Sequence, residues 1–154
     1  MKNKKISNEK GITLTVLIIT IIVMIIIVGV SIMTLTDNTD IAVKEAFVTN
    51  MDIVKQKMVV VNKEKSLGSK AYDAIGIKVS SLSGEQKIKC ETILSKHGKT
   101  NYENYIYYTS ANLITIGIKN IEHDVIVGID DNDVYSYTGV VINNVEYNSA
   151  EEIY

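Results

Sequence analysis

The feature that most constrains this chain is a charge-free run over residues 11–36, GITLTVLIITIIVMIIIVGVSIMTLT. As a helix rising about 1.5 Å per residue, the run would reach roughly 39 Å, which exceeds the ~30 Å hydrocarbon thickness of a bilayer. Only Thr20 interrupts the Ile, Val, Leu and Met of residues 16–28. In lipid such a helix makes all of its backbone hydrogen bonds internally, and the Thr20 hydroxyl can donate a hydrogen bond to a carbonyl of the preceding turn. The run therefore predicts a membrane helix.

The charges on either side of this run predict its orientation. Four lysines and one acid, Glu9, precede it, whereas the first charges after it are Asp37 and Asp40. Lysine-rich flanks stay in the cytoplasm. We therefore expect a single-pass membrane protein with a cytoplasmic N-terminus and an extracellular domain from Asp37 onward.

A specific motif lies where the basic flank meets the apolar run. Residues 10–14, KGITL, resemble the cleavage site of type IV prepilins and related pilin-like proteins, in which a short basic leader ends in glycine. The resemblance implies that a prepilin peptidase cuts between Gly11 and Ile12 and that the new Ile12 amine is N-methylated. It departs from the family at Val16, because the fifth mature position there is usually a glutamate that pairs with a neighbouring subunit's N-terminus.

The resemblance also implies a packing role for the mature N-terminal helix. The helix would lie in the membrane first and then pack against other subunits in a filament. The residues expected to make these contacts are Leu14, Val16, Leu17, Ile21 and Val28.

Two plainer interpretations of this segment stay open. A signal anchor would show the same lysines and the same apolar run without being cut. A secretory signal peptide cut after Ser31 would fit the small residues Gly29 and Ser31, although its apolar region would exceed the usual 7–15 residues. The N-terminus of the mature protein distinguishes these possibilities.

The helical pattern continues beyond the membrane run with one apolar face. Residues recur there at spacings of three and four: Val43, Phe47, Met51, Val54, Met58 and Val61. Charged residues occupy the other faces, and Leu67-Gly68 is a plausible helix end. A helix with a single apolar stripe must pack that stripe on another element.

The rest of the chain predicts a short helix followed by a sheet. Ser83 and Gln86 fit a capping box for a helix that ends near Lys96. The pattern over residues 110–118 fits either a strand or a single helical turn. Strands and hairpins are expected at residues 74–79, 102–109, 124–130, 134–137, 140–142 and 145–147.

The order of leader, hydrophobic helix, amphipathic extension and C-terminal strands is similar to that of the pilin fold. The expected fold class is thus α+β and pilin-like, with a long N-terminal helix (membrane half plus amphipathic half) packed on a C-terminal antiparallel sheet. The expected domains are a basic leader (1–11), a transmembrane or filament-core helix (12–36) and an extracellular pilin-like globular domain (37–154).

Motifs for catalysis, cofactors and metals are missing from the sequence. There is no nucleophile motif, glycine-rich phosphate loop or paired-cysteine metal site. The aspartates of residues 130–133 lack the spacing of a calcium loop, so we interpret them as turn residues. Residues 122–124, EHD, are interpreted as a polar loop, and the lone Cys90 as a buried apolar residue. We therefore expect no enzyme, no cofactor and no metal site.

Charge argues against nucleic acid as a partner. The net charge is −2, and all sixteen basic residues are lysine, so the bidentate contacts of arginine are missing.

The function implied by the resemblance is that of a minor pilin or pseudopilin-like subunit of a type IV pilus or type II secretion-like filament. Its partners would be the membrane, prepilin peptidase, other pilin-like subunits and the assembly machinery, in a homo- or hetero-oligomeric filament at the cell surface. The alternative is a membrane-anchored extracellular binding domain that does not polymerise.

Overall fold

The computed structural model describes residues 9–154, without the side chains of residues 9–13, 15 and 29–38. Residues 1–8 of the expected leader lie outside the described residues. Its elements are α1 (Glu9–Ser66), β1 (Ile77–Lys78), α2 (Gly84–Lys96), β2 (Tyr105–Tyr108), α3 (Ser110–Thr115), β3 (Val125–Gly128), β4 (Val134–Ser136), β5 (Val140–Ile142) and β6 (Val145–Tyr147). Short 3-10 helices cover Val79–Ser81, Tyr102–Asn104 and Ala150–Glu152. The chain divides into two compact units, Met1–Ala42 and Val43–Tyr154.

The strands of the second unit form two antiparallel sheets. Four strands pair in the order β1-β2-β3-β4, and β5 and β6 form a separate hairpin. Asn132 in the β3–β4 turn and the pair Asn143-Asn144 in the β5–β6 turn have positive φ, between 51° and 62°. Asparagine tolerates this left-handed backbone, which the two-residue turn between β5 and β6 requires and which the longer β3–β4 connection also uses at Asn132. Both hairpins predicted from the sequence are confirmed.

One face of the larger sheet packs against α1. The predicted apolar stripe of α1 lies in this core from Phe47 to Val61, whereas Val43 is 42 % exposed. Tyr108 and alternate residues of β3 supply the sheet's side of the contact. The helix ends at Ser66, and Gly68 (φ 88°) donates its N–H to the carbonyl of Lys65, a common way to terminate a helix.

The opposite face of the sheet packs against α2. Cys90, Ile93 and Leu94 of α2 are buried against Tyr105 and Tyr107 of β2, in a second core separate from the first. Ile88 lies on the outer side of α2 and is 65 % exposed. Every residue of β3 and β4 is buried because helices cover the sheet on both sides.

The predicted fold class requires correction. The structure is α+β, but no helix within the described residues is both long enough and apolar enough to cross a membrane. The prediction placed the N-terminal helix on the sheet and gave no position to the helix that ends near Lys96; in the structure that second helix covers the opposite face of the sheet. The physical reason is that β2 and β3 carry buried apolar or tyrosine side chains on both faces, Tyr108 and Val125 on one and Tyr107 and Ile126 on the other, so both faces must be covered.

Candidate functional site

A continuous exposed apolar surface covers Leu14 and residues 16–28 of α1. Each hydrophobic side chain described there is between 46 % and 66 % exposed. Thr20 Oγ1 donates to the carbonyls of Val16 (2.6 Å) and Leu17 (3.0 Å), which confirms the predicted back-bond. The hydroxyl group of Thr20 is therefore hydrogen-bonded within the helix. The side chains around it offer a partner apolar contacts.

The residues predicted to pack lie on more than one side of α1. Leu14, Leu17, Ile21 and Val28 share a face, because their spacings of three, four and seven match the helical repeat. Val16 lies on the other side of the helix and is 55 % exposed. An apolar surface that continues around a helix suits an environment that is dry on all sides.

The predicted cleavage junction has a helical backbone in this structure. Gly11 and Ile12 both lie in the first turns of α1, and their side chains are outside the described set. Cleavage between them and methylation of Ile12 therefore stay predictions from the sequence motif.

The turn between β3 and β4 carries three carboxylates. Lys99 Nζ donates to Asp131 Oδ2 at 2.9 Å and to Asp133 Oδ2 at 2.8 Å. Asp130 accepts a hydrogen bond of 2.8 Å from the side-chain amide of Asn104. The interpretation of these aspartates as turn residues is confirmed, and in the described part of the chain no three acidic, histidine or cysteine side chains group as a metal site.

Ion pairing fixes the protonation of this cluster. Burial alone would raise the pKa of Asp131, but hydrogen bonds from Lys99, the Asp133 backbone and Tyr105 outweigh burial and lower that pKa. The pKa of Lys99 is raised because its ammonium donates to Asp133 and Asp131. Burial, with help from Asp131, raises the pKa of Tyr105 to about 12. At neutral pH the cluster is a fixed ion pair and a poor acid or base catalyst.

His123 and Asp124 are neighbours in sequence with different partners. Asp124 accepts hydrogen bonds from the Tyr107 hydroxyl and from the Ser110 backbone, the latter at 2.8 Å. His123 Nδ1 lies 3.3 Å from Thr138 Oγ1. Residues 122–124 lie in a loop before β3, as interpreted from the sequence, and Asp124 ties β2 to the first turn of α3.

The lone cysteine is a core residue. Cys90 is fully buried on α2, and burial raises the pKa of its thiol to about 12. A protonated, inaccessible thiol is neither a nucleophile nor a metal ligand. The interpretation of Cys90 as a small apolar side chain is confirmed.

A cavity of about 210 Å³ lies among α1, β4 and the C-terminal 3-10 helix. Met51 and Val134 contribute apolar walls, whereas Lys55 and Asp133 carry charge at its edge. Lys55 Nζ lies 3.6 Å from Asp133 Oδ1. Sequence analysis did not identify this cavity, since its walls come from segments about eighty residues apart and no local motif marks them.

Comparison of the chain with protein families, curated proteins and solved structures found no match. Function must therefore be inferred from the residues themselves. The two features with functional potential are the exposed apolar surface of α1 and the cavity beside β4.

Proposed function

We propose that this chain is a structural subunit, minor pilin or pseudopilin-like, of a type IV pilus or type II secretion-like filament. The observation that carries the proposal is the exposure of every hydrophobic side chain described at Leu14 and over residues 16–28. Such a surface is costly in water and needs lipid or a bundle of similar helices around it.

The energy available from this surface is large. Burying the exposed half of a Leu, Ile or Val side chain contributes about 1 kcal/mol, so the segment as a whole contributes on the order of 10 kcal/mol. Lipid buries these side chains while the subunit is in the membrane. A helical bundle of subunits supplies it after assembly, because neighbouring apolar helices exclude water equally well.

The sequence motif supplies the order of events. The four lysines before the apolar run hold the N-terminus in the cytoplasm and place Gly11 at the membrane surface. Prepilin peptidase then removes the leader, Ile12 is methylated, and the globular domain stays outside the cell. Other pilin-like subunits and an assembly machinery are the remaining partners.

Val16 makes a minor subunit more suitable than a major one. An apolar residue cannot attract the N-terminal amine of an incoming subunit. The subunit would instead dock by van der Waals packing, or beside a partner that carries the missing acid.

A second candidate function rests on the cavity. An anchored extracellular domain that binds a small ligand would use a preformed pocket with apolar walls and a few charged groups at its edge, as found beside Met51 and Lys55. Such a protein would stay anchored through the charge-free run of residues 11–36 and would not enter filaments.

Mass spectrometry of the protein from its native host tests the proposal. The expected chain begins at methylated Ile12. Gly11→Val should block the cut, since the branched side chain crowds the scissile bond, whereas Gly29→Val, made far from the junction, should leave it unchanged. An intact Met1 leader or a start at Ile32 would overturn the proposed processing.

A further inference from the structure

We propose that Leu67, just beyond the end of α1, inserts into the cavity beside β4 of a second copy of this chain. This contact rests on the proposed function, because a filament holds copies side by side with their α1 helices parallel. An open filament needs two different surfaces on each subunit that fit each other. The cavity and the helix end are such a pair, and both belong to the unit Val43–Tyr154.

Leu67 is an apolar side chain held in an exposed position. It is 80 % exposed, more than any other leucine, isoleucine, valine or methionine among the described side chains. Its backbone N–H donates to the carbonyl of Lys63 at 3.1 Å, and the Ser69 N–H donates to the carbonyl of Glu64 at 3.0 Å. These bonds fix the backbone on both sides of Leu67, so little conformational freedom is lost when the side chain binds a partner.

The cavity is large enough and apolar enough for a leucine side chain. Its volume is about 210 Å³, and its apolar walls come from Val48, Met51, Val134 and Ala150. An apolar cavity of about 150 Å³ already holds a benzene molecule, which has six carbons where the leucine side chain has four. Leu67 would therefore fit together with neighbouring atoms of the helix end.

The chain around Leu67 is positively charged. Residues 63–70, named here the α1 tip, carry three lysines and one acid. Lys63 and Lys70 are exposed, one on each side of Leu67 along the chain. A partner surface for the α1 tip therefore needs an apolar centre and acidic groups around it.

The cavity has acidic groups of this kind at its edge. Its lining contains three acids and one lysine. Asp133 is already neutralised by Lys99 at 2.8 Å and lies 3.6 Å from Lys55. The acids that remain to attract a basic partner are Asp52 and Glu151, and both are exposed. The two surfaces therefore match in charge as well as in apolar character.

The contact defines how far neighbouring subunits are shifted. Leu67 comes sixteen positions after Met51 in the cavity wall. At about 1.5 Å per residue, parallel copies in contact are displaced by about 24 Å along α1. This contact would supply a fixed register outside the membrane to a subunit that has Val16 where a glutamate would otherwise set it.

Cysteine crosslinking of the full-length chain in its native host tests the contact. Ser66→Cys places a thiol beside Leu67, and Ala150→Cys places one in the cavity wall. After oxidation, a chain with both changes should form a ladder of dimers, trimers and larger species, because every copy carries both surfaces. Each single variant should form no ladder, since Cys90 is fully buried. A dimer from Ser66→Cys alone would indicate a symmetric contact and overturn the proposal.

Two further variants in the two-cysteine chain assign the contact to the leucine. Leu67→Asp should reduce the ladder about tenfold or more, because burial of a leucine side chain contributes at least that factor to affinity. Its exposure keeps the fold intact. Ile88→Asp is the matched control, since Ile88 is 65 % exposed on α2, and it should leave the ladder unchanged. Equal ladders in the two variants would refute the role of Leu67.

Charge reversal identifies the partner surface. Asp52→Lys combined with Glu151→Lys should weaken the ladder, and the addition of Lys63→Glu and Lys70→Glu should restore it. Failure of the second pair to restore the ladder would show that the α1 tip does not face this cavity.

Fractionation separates this contact from the proposed function. Wild-type protein in sheared filaments without a ladder in the two-cysteine chain would overturn the contact alone. A ladder confined to membranes, with no protein in filaments, would support the contact and contradict the filament. A small molecule retained by the detergent-purified protein, with no ladder, would assign the cavity to a ligand and overturn the contact.

Discussion

Lys99 joins the loop after α2 to the turn between β3 and β4, with its Nζ 2.8 Å from Asp133 Oδ2. The same ammonium lies 2.9 Å from Asp131 Oδ2, so one cation neutralises two carboxylates that would otherwise repel each other. Both acids belong to one tight turn, whereas Lys99 comes from a distant part of the chain. The contact therefore links the β3–β4 hairpin to the loop that follows α2.

Removing this cation should destabilise the domain. Lys99→Met leaves two neighbouring carboxylates without their shared partner, and we expect the free energy of unfolding to fall by about 1–2 kcal/mol. Urea denaturation of residues 37–154 at neutral pH measures the change. Lys87→Met is the matched control, since Lys87 and Glu91 form a 3.9 Å pair within one helix, and it should cost less than about 0.5 kcal/mol. If the free energy of unfolding fell equally in the two variants, Lys99 would contribute no more to stability than an ordinary surface ion pair.

Acid should weaken the domain through Asp131 and Glu152. Both have a lowered pKa in the fold, so the unfolded chain binds protons at higher pH than the folded chain does. Their contribution to stability is present above the ordinary values of 3.8 and 4.5 and is lost as the pH falls through the lower folded values. The urea midpoint should decline below about pH 4.5, and Asp131→Asn should flatten the decline. A midpoint that rises on acidification would contradict this assignment.

The α1 core gives a third prediction. Phe47 is 5 % exposed in the core between α1 and the sheet, so Phe47→Ala should cost about 3–5 kcal/mol. Ile53→Ala removes an apolar side chain that is 46 % exposed on the same helix and should cost less than about 1 kcal/mol. Thermal or urea unfolding of both variants provides the comparison, and a loss below about 1 kcal/mol at Phe47 would place its side chain against a partner or solvent.

The fourth prediction tests filament assembly at Val16. In the proposed membrane-embedded state this position is close to the cytoplasmic end of the apolar run, where a carboxylate can move to the interface, whereas a charge at the bilayer centre costs about 2.5–3.5 kcal/mol. Val16→Glu should therefore insert normally but change the amount or position of the protein in sheared surface filaments. Val23→Glu, nearer the centre, should reduce insertion. If the wild-type protein is missing from every filament fraction while the peptidase and assembly ATPase are present, the structural-subunit proposal is wrong.

Local signals in the sequence predicted much of the second unit. The spacing of apolar residues identified the buried stripe of α1 from Phe47 to Val61, and Asn143-Asn144 identified a turn whose positive φ asparagine tolerates. The pattern over residues 110–118 fitted either a strand or a helical turn, and the structure has the helix α3 there, capped by Thr109. These features depend on neighbours within a few residues, which a sequence displays directly.

Long-range relationships were not predictable in the same way. The sequence gives no sign that Lys99 meets Asp133, or that Glu152 meets Lys96 and His97, because each contact joins segments more than thirty residues apart. The role of α2 was missed for a related reason. Its buried face includes Cys90 and Ile93, and tyrosines of the sheet complete that core from elsewhere in the chain.

Helices on both faces of the sheet also limit how evolution can alter this protein. Buried strands tolerate few substitutions, since each side chain of β3 and β4 already contacts a packed neighbour. A new specificity can arise more easily on the outer surfaces of α1 and α2, in the β5–β6 hairpin or in residues 148–154. Variation among related subunits should therefore concentrate on those exposed positions, while the central sheet changes slowly.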